Sequence, residues 1–166
     1  IDLHGGSFTS TGKNFISTDT VSGTGSITTT GAGYVMINNT GSVSIGAAIT
    51  TGNGSFTAAG NTAFSSAAAI ETGSGSVLVS SSGNITIGDD ITTTGNATFT
   101  STGGNITNSG STISADTLNL TTTGLNKNIG SVTVNPDGSL TSSPLMIKAT
   151  TLNASANFGH IVVTDL

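Results

Sequence analysis

Apolar residues in this chain come in short bursts of alternation, each three to five residues long and bounded by Gly, Asn or Ser. Examples are Gly25-Ser-Ile-Thr, Tyr34-Val-Met-Ile37, Ser42-Val-Ser-Ile45, Ser76-Val-Leu-Val79, Asn84-Ile-Thr-Ile87, Thr117-Leu-Asn-Leu120 and Ser131-Val-Thr-Val134. A period of two marks β-strands with one face buried. Helical patterning is nearly absent, because Gly, Thr, Ser and Asn are poor helix formers and Ala occurs only in short runs.

The bursts themselves recur. Gly41-Ser-Val-Ser-Ile-Gly-Ala-Ala-Ile-Thr50 lies over Gly83-Asn-Ile-Thr-Ile-Gly-Asp-Asp-Ile-Thr92, so that Val43, Ile45, Gly46 and Ile49 fall on Ile85, Ile87, Gly88 and Ile91. Asn53-Gly-Ser-Phe falls on Asn96-Ala-Thr-Phe, which places Phe56 on Phe99. Val35 and Ile37 fall on Val77 and Val79, then on Leu118 and Leu120. The spacing of about 42 residues reads as two coils of about 21. Strands so short, in the same apolar phase from copy to copy and with few two-residue hairpin signals, predict a parallel β-helix rather than a sandwich.

The expected architecture is an all-β, right-handed parallel β-helix (β-solenoid) of seven or eight coils. It is a single domain over residues 1–166, with a less regular stretch at 121–144 carrying protruding loops around Leu125–Asn128 and Asn135-Pro-Asp-Gly138. The handedness follows the general preference of parallel crossovers. The expected inward set is Val43, Ile45, Ile49, Phe56, Ile70, Val77, Val79, Ile85, Ile87, Ile91, Phe99, Ile113, Leu118, Leu120, Val132 and Val134. Gly46 and Gly88 are expected in turn conformations that a Cβ would hinder. The runs Thr28–Thr30, Thr92–Thr94 and Thr121–Thr123 are expected at solvent-facing corners. Ile1-Asp-Leu3 and Ile161-Val-Val163 read as uncapped terminal strands, to be covered by further coils of the same polypeptide or by identical subunits end to end. The start at Ile1 rather than Met reads as a processed product or a segment of something longer.

Composition sharpens this picture. Ser, Thr, Gly and Asn make up more than half of the chain, charged residues 7% and aromatics 4%. Such a mixture often signals disorder, but disordered chains lack regularly spaced Val and Ile, so an ordered fold is expected. Three lysines (Lys13, Lys127, Lys148) against eight acids give a net charge of −5. With no basic patch, nucleic acid and anionic lipid are not expected partners. No apolar run approaches the ~20 residues of a membrane-spanning helix.

Candidate chemistry is sparse. Asp2, Asp19, Glu71, Asp89, Asp90, Asp116, Asp137 and Asp165 are scattered, whereas glycan hydrolysis needs paired carboxylates, so no enzyme activity is expected. Asp89-Asp90 is the one candidate for a Ca²⁺ ligand pair. The equivalent residues one repeat earlier are Ala47-Ala48, so the repeat does not require a metal, and no cofactor is expected. His4 and His160 lie near opposite ends. Asn38, Asn84, Asn96, Asn105, Asn119 and Asn153 each begin an Asn-x-Ser/Thr triplet.

Gly83-Asn-Ile-Thr-Ile, Ile91-Thr-Thr-Thr-Gly-Asn-Ala-Thr-Phe and Gly104-Asn-Ile-Thr-Asn-Ser-Gly resemble the repeat regions of filamentous-haemagglutinin-like exoproteins, large adhesins commonly exported by two-partner secretion. The resemblance covers roughly residues 5–165 and is one of composition and period. It implies a shaft segment of a bacterial surface exoprotein, extracellular or at the cell surface. Two other functions are kept beside it: a subunit of a self-assembling extracellular filament or sheath, and an ice- or glycan-binding solenoid that uses its Thr/Ser/Asn face.

Overall fold

The computed structural model describes residues 1–2, 4–18 and 23–166. Its strands stack as a parallel β-solenoid of about seven turns, with no helix among the described residues. Each full turn lays strands on three faces. The first face carries Ser26–Thr30, Ala48–Thr51, Ile70–Glu71 and Ile91–Thr92. The second carries Val35–Asn38, Phe56–Asn61, Val77–Ser81 and Asn96–Ser101, and the third Ser42–Ile45, Ala63–Ser66, Ile85–Ile87 and Ile106–Asn108. Two long strands, Thr112–Thr122 and Leu145–Ala156, bend round the corner between the first and second faces, joining both into one 13-stranded sheet. Pairing between coils is parallel and in register, apart from one shift between Val79 and Ser81 where Val77–Ser81 meets Phe56–Asn61.

Register turns the alternation into columns. On the first face Ile27, Ile49, Ile70, Ile91, Ile113 and Ile147 stack directly, all buried. On the third, Val43, Phe64, Ile85 and Ile106 stack, and isolated bridges continue the column through Ile129 to Ile161. The second face holds two inward columns: Val35–Phe56–Val77–Ala97–Leu118 and Ile37–Ala58–Val79–Phe99–Leu120. Phe56 and Phe99 therefore do not share a column. Phe56 sits with Ala58 in one coil and Ala97 with Phe99 in another, so each strand pairs one bulky residue with one small one and the coil volume stays nearly constant. Superimposing Phe56 on Phe99 misplaces the ring by one inward position, because the turn that follows the first face shortens toward the C-terminal coils.

Fourteen of the sixteen residues expected inside are buried; Val132 and Val134 are not. They lie in an antiparallel hairpin, Ser131–Val134 against Leu140–Ser143, that projects between two coils, and Val134 is 68% exposed. Their alternation is real, but no neighbouring coil covers it. The Thr runs also differ from expectation. The outer members of each run are exposed or half-buried, but Thr29, Thr93 and Thr122 point inward and are buried.

These inward hydroxyls line the corners. Between the first and second faces Thr29, Thr51, Thr72 and Thr93 are buried. Thr29 Oγ1 donates to Gly33 O at 2.6 Å, Thr72 Oγ1 to Gly75 O at 2.8 Å and Thr93 Oγ1 to Gly75 O at 2.6 Å; Thr51 donates to Gly54 O. At the next corner Ser101 Oγ donates to Gly104 O at 2.9 Å and Thr122 Oγ1 to Lys127 O at 3.0 Å. The turn carbonyls face inward, away from water and outside the strand ladders, so each needs a side-chain donor.

Glycines complete the corners for a different reason. A Cβ on Gly75 would lie 2.0 Å from Gly54 O, and one on Gly54 would lie 2.0 Å from Gly33 O. The corner backbones stack too closely for any side chain. Gly88 obeys the same rule: its Cβ would meet Ser66 O at 2.4 Å. Its φ is not positive, so clearance rather than turn conformation requires glycine there.

Candidate binding surface

The described acids are spread along the rod, except that Asp89 and Asp90 share a corner and Asp116 and Asp165 border one groove. Glu71 faces outward on the first face in register with Thr50 and Thr92. Asp137 sits at the hairpin tip, where Ser139 donates to it from its hydroxyl at 2.7 Å and its backbone N–H at 2.9 Å. The Ser139 hydroxyl, then its N–H, hold the Asp137 carboxyl below the usual carboxylate range. Asp2 accepts from the His4 backbone N–H, and its other oxygen lies 3.2 Å from His4 Nε2. Asp19 lies outside the described residues, as does Leu3.

Asp89 and Asp90 are exposed and both face the backbone. Asp89 Oδ1 accepts from the Asp90 N–H at 2.8 Å, and Asp90 Oδ1 from the Thr112 N–H of the next coil at 2.7 Å. Their carboxylates cap a corner where the first-face strand begins. Among the described residues no three His, Asp or Glu side chains come together to hold a metal ion. His160 belongs to the last full coil, its N–H donating to Asn128 Oδ1 at 2.8 Å, far along the axis from His4.

The asparagines serve the same axial purpose. Asn84 Oδ1 accepts from the Asn105 N–H at 2.9 Å, Asn105 Oδ1 from the Asn128 N–H at 2.8 Å, and Asn128 Oδ1 from the His160 N–H. This ladder enters the third face one coil at a time. On the second face Asn153 Nδ2 donates to Asn119 Oδ1 at 2.9 Å, and Asn119 Nδ2 to Thr98 Oγ1 at 3.3 Å. In the sequence Asn84, Asn105, Asn119 and Asn153 stand out as triplets and Asn128 does not; the signal for the ladder was the recurrence of Gly-Asn-Ile-Thr at Gly83 and Gly104.

Outward ladders cover the faces. On the first, Thr28, Thr50, Glu71, Thr92, Ser114 and Lys148 follow one another. Glu71 and Lys148 interrupt the threonines, so this column is not a uniform Thr array. On the second, Met36, Thr57, Leu78, Thr98 and Asn119 do the same.

Two shallow grooves interrupt these surfaces. One, of about 450 Å³, opens where the shortened corner leaves a notch beside Asp116, Lys148 and Asp165, with Thr94, Ser114 and Thr150 at its margin. The other, of about 340 Å³, lies at the start of the second face beside Tyr34, Met36, Asn53, Ser55 and Thr57.

Near the two ends of the described coils three column residues are partly exposed, while Phe15 and Ile147 stay buried. Phe8, in the first-face column, is 37% exposed and packs edge-on against Phe15, with ring centroids 5.0 Å apart. At the other end Leu152 is 37% and Ile161 44% exposed. Val163–Asp165 forms a terminal strand paired with Leu145–Ile147.

Comparison with protein-family models, with curated proteins and with solved structures finds no match.

Proposed function

We propose that this β-solenoid is a structural shaft element of a bacterial surface exoprotein, holding adhesive surface away from the cell. The observation that carries the reading is axial continuity. The first-face column runs unbroken from Phe8 to Ile147, and apolar columns on the second and third faces reach Leu152 and Ile161; Phe8, Leu152 and Ile161 are partly exposed, so they offer apolar steps on which another coil can sit. Each added coil extends the rod by ~4.8 Å and buries the step beneath it. About seven turns give a length of roughly 35 Å. The resemblance to filamentous-haemagglutinin-like repeats supports the same reading.

The test is immunogold labelling of intact cells of the source organism with antibodies against this segment. Label on fibrils outside the envelope is expected; label that appears only after lysis refutes the reading.

The same apolar steps favour a second reading, end-to-end assembly of separate copies. Light scattering with electron microscopy at several concentrations separates the two. Fibres that lengthen with concentration indicate a filament subunit, and a concentration-independent short rod indicates a segment continued by its own chain.

A further inference from the structure

We propose that the groove around Tyr34 is a binding subsite for a neutral pyranose ring of a glycan. This rests on the adhesive reading above and gives it a place and a ligand class.

Tyr34 is the chain's one tyrosine, and there is no tryptophan. It stands half-buried on the outer side of the second face, at a position occupied by Ser55 and Ser76 in the next two coils. A bulky ring therefore rises beside a column of small residues, and Gly54 forms the low floor between them. Met36 continues the apolar wall, with Thr57 facing it from the coil above.

The polar groups around this wall are fixed but not saturated. Asn53 Oδ1 is held by the Ser74 hydroxyl at 2.9 Å, which leaves its NH₂ unpartnered among the described residues. Ser55 Oγ accepts the Ser76 N–H at 3.3 Å and keeps its own proton to donate. The Tyr34 and Thr57 hydroxyls have no partner among the described residues. An aromatic ring and a thioether thus border an amide donor and three hydroxyls within about 340 Å³.

A pyranose matches this arrangement. One face of the ring presents C–H groups that pack on an aromatic side chain, and its edge presents hydroxyls that both donate and accept. The anchored Asn53 and Ser55 are oriented by the coil above, so they lose little freedom on binding. None of the side chains lining the groove is charged, and the chain carries a net charge of −5, so sialylated or sulfated sugars are disfavoured. A single sugar in so open a groove binds in the millimolar range; affinity comes from several such contacts along a surface.

Tyr34 also supplies the assay, because it is the only strong intrinsic fluorophore. The protein is titrated with methyl β-D-galactopyranoside, methyl α-D-mannopyranoside and N-acetyl-D-glucosamine, with N-acetylneuraminic acid as the charged comparison. At least one neutral sugar should change the tyrosine emission saturably, and the charged sugar should not. Thr57→Lys, which keeps the fluorophore and fills the groove from an outward position, should weaken that response about tenfold or more. Circular dichroism confirms that the variant is folded. The proposal is overturned if no neutral sugar gives a saturable change, if Thr57→Lys binds like the parent, or if the charged sugar binds equally well. Surface labelling of cells is independent of these outcomes, so failure of the groove leaves the shaft reading to its own test.

Discussion

Replacing Gly75 by alanine tests one of the tight corners in the middle of the stack. The new Cβ would sit 2.0 Å from Gly54 O, 2.4 Å from Gly54 C and 2.9 Å from Asn53 O, all backbone atoms that no rotamer can move aside. Relief requires the two coils to part by at least about 1 Å, enough to turn a 2.9 Å hydrogen bond into no bond. The bonds that cross between these two coils are the Phe56 N–H to Ser76 O at 2.9 Å, the Ser76 N–H to Ser55 Oγ at 3.3 Å and the Ser74 hydroxyl to Asn53 Oδ1 at 2.9 Å. Each lost bond that leaves a buried group unsatisfied costs about 1–3 kcal/mol. Alanine regains about 0.4–1 kcal/mol by restricting the unfolded chain. The ladder bond is buried and the other two, more exposed, cost about 0.5–1.5 kcal/mol each, so the net loss is on the order of 2–4 kcal/mol, a large share of a typical domain's stability. Gly41→Ala is the control: its Cβ meets Asn39 Oδ1 at 3.5 Å, an ordinary contact, and should leave stability unchanged or raise it by up to about 1 kcal/mol. Urea denaturation followed by far-ultraviolet circular dichroism gives the difference. Hydrogen exchange should show the loss centred on the coils holding Gly54 and Gly75, since a solenoid opens locally. If Gly75→Ala unfolds within 1 kcal/mol of Gly41→Ala, close backbone stacking is not what requires glycine there.

Ile91→Ala opens a gap in the middle of the six-isoleucine column and should cost about 2–5 kcal/mol in the same denaturation assay; a cost below about 1 kcal/mol would mean that the column is not tightly packed. Ser66 Oγ is buried without a partner in a column between Ile45 and Ile87, so Ser66→Ala should raise stability by about 1 kcal/mol, and a clear loss would contradict an unsatisfied hydroxyl. Asp137 has a lowered folded-state pKa, so its cap on the hairpin tip is complete above the ordinary aspartate range and is lost as pH falls through the lowered value. The Ser139 amide resonance should therefore shift only below the range where exposed aspartates titrate, and a transition at or above that range would show that the Ser139 bonds do not hold the carboxylate.

The repeat made the solenoid legible, but the apparent period had a packing cause. Each coil spans about half of the 42 residues, and coils two apart look most alike because Val35 and Ile37 match Val77 and Val79. The coil between them instead places Phe56 beside Ala58. Volume is conserved coil by coil while identity is not, so the strongest similarity skips a coil. The hairpin at Ser131–Ser143 was harder to separate from the core because Val132 and Val134 carry the same period-two signal as a coil strand. Alternation reports that a strand has two unlike faces; only stacking decides whether the apolar one is covered.

Polarity hid the larger part of the architecture. At the two corners that flank the second face the turns bring carbonyls inward, where neither water nor the strand ladder reaches them. Thr29, Thr72, Thr93, Ser101 and Thr122 meet them from inside, while Asn84, Asn105 and Asn128 bind the amide of the coil above from outside. The residues that lower helix propensity and suggest disorder in composition are therefore those that tie one coil to the next. The middle residue of each Thr run is inward because a strand ends there: alternation carries its side chain to the core side just as the backbone begins to turn. A column of valine at these corners would fill the same space and leave each carbonyl unpaired, at about 1–3 kcal/mol per turn. That cost repeats with every coil, which makes buried hydroxyls at these corners a requirement of a solenoid with many coils.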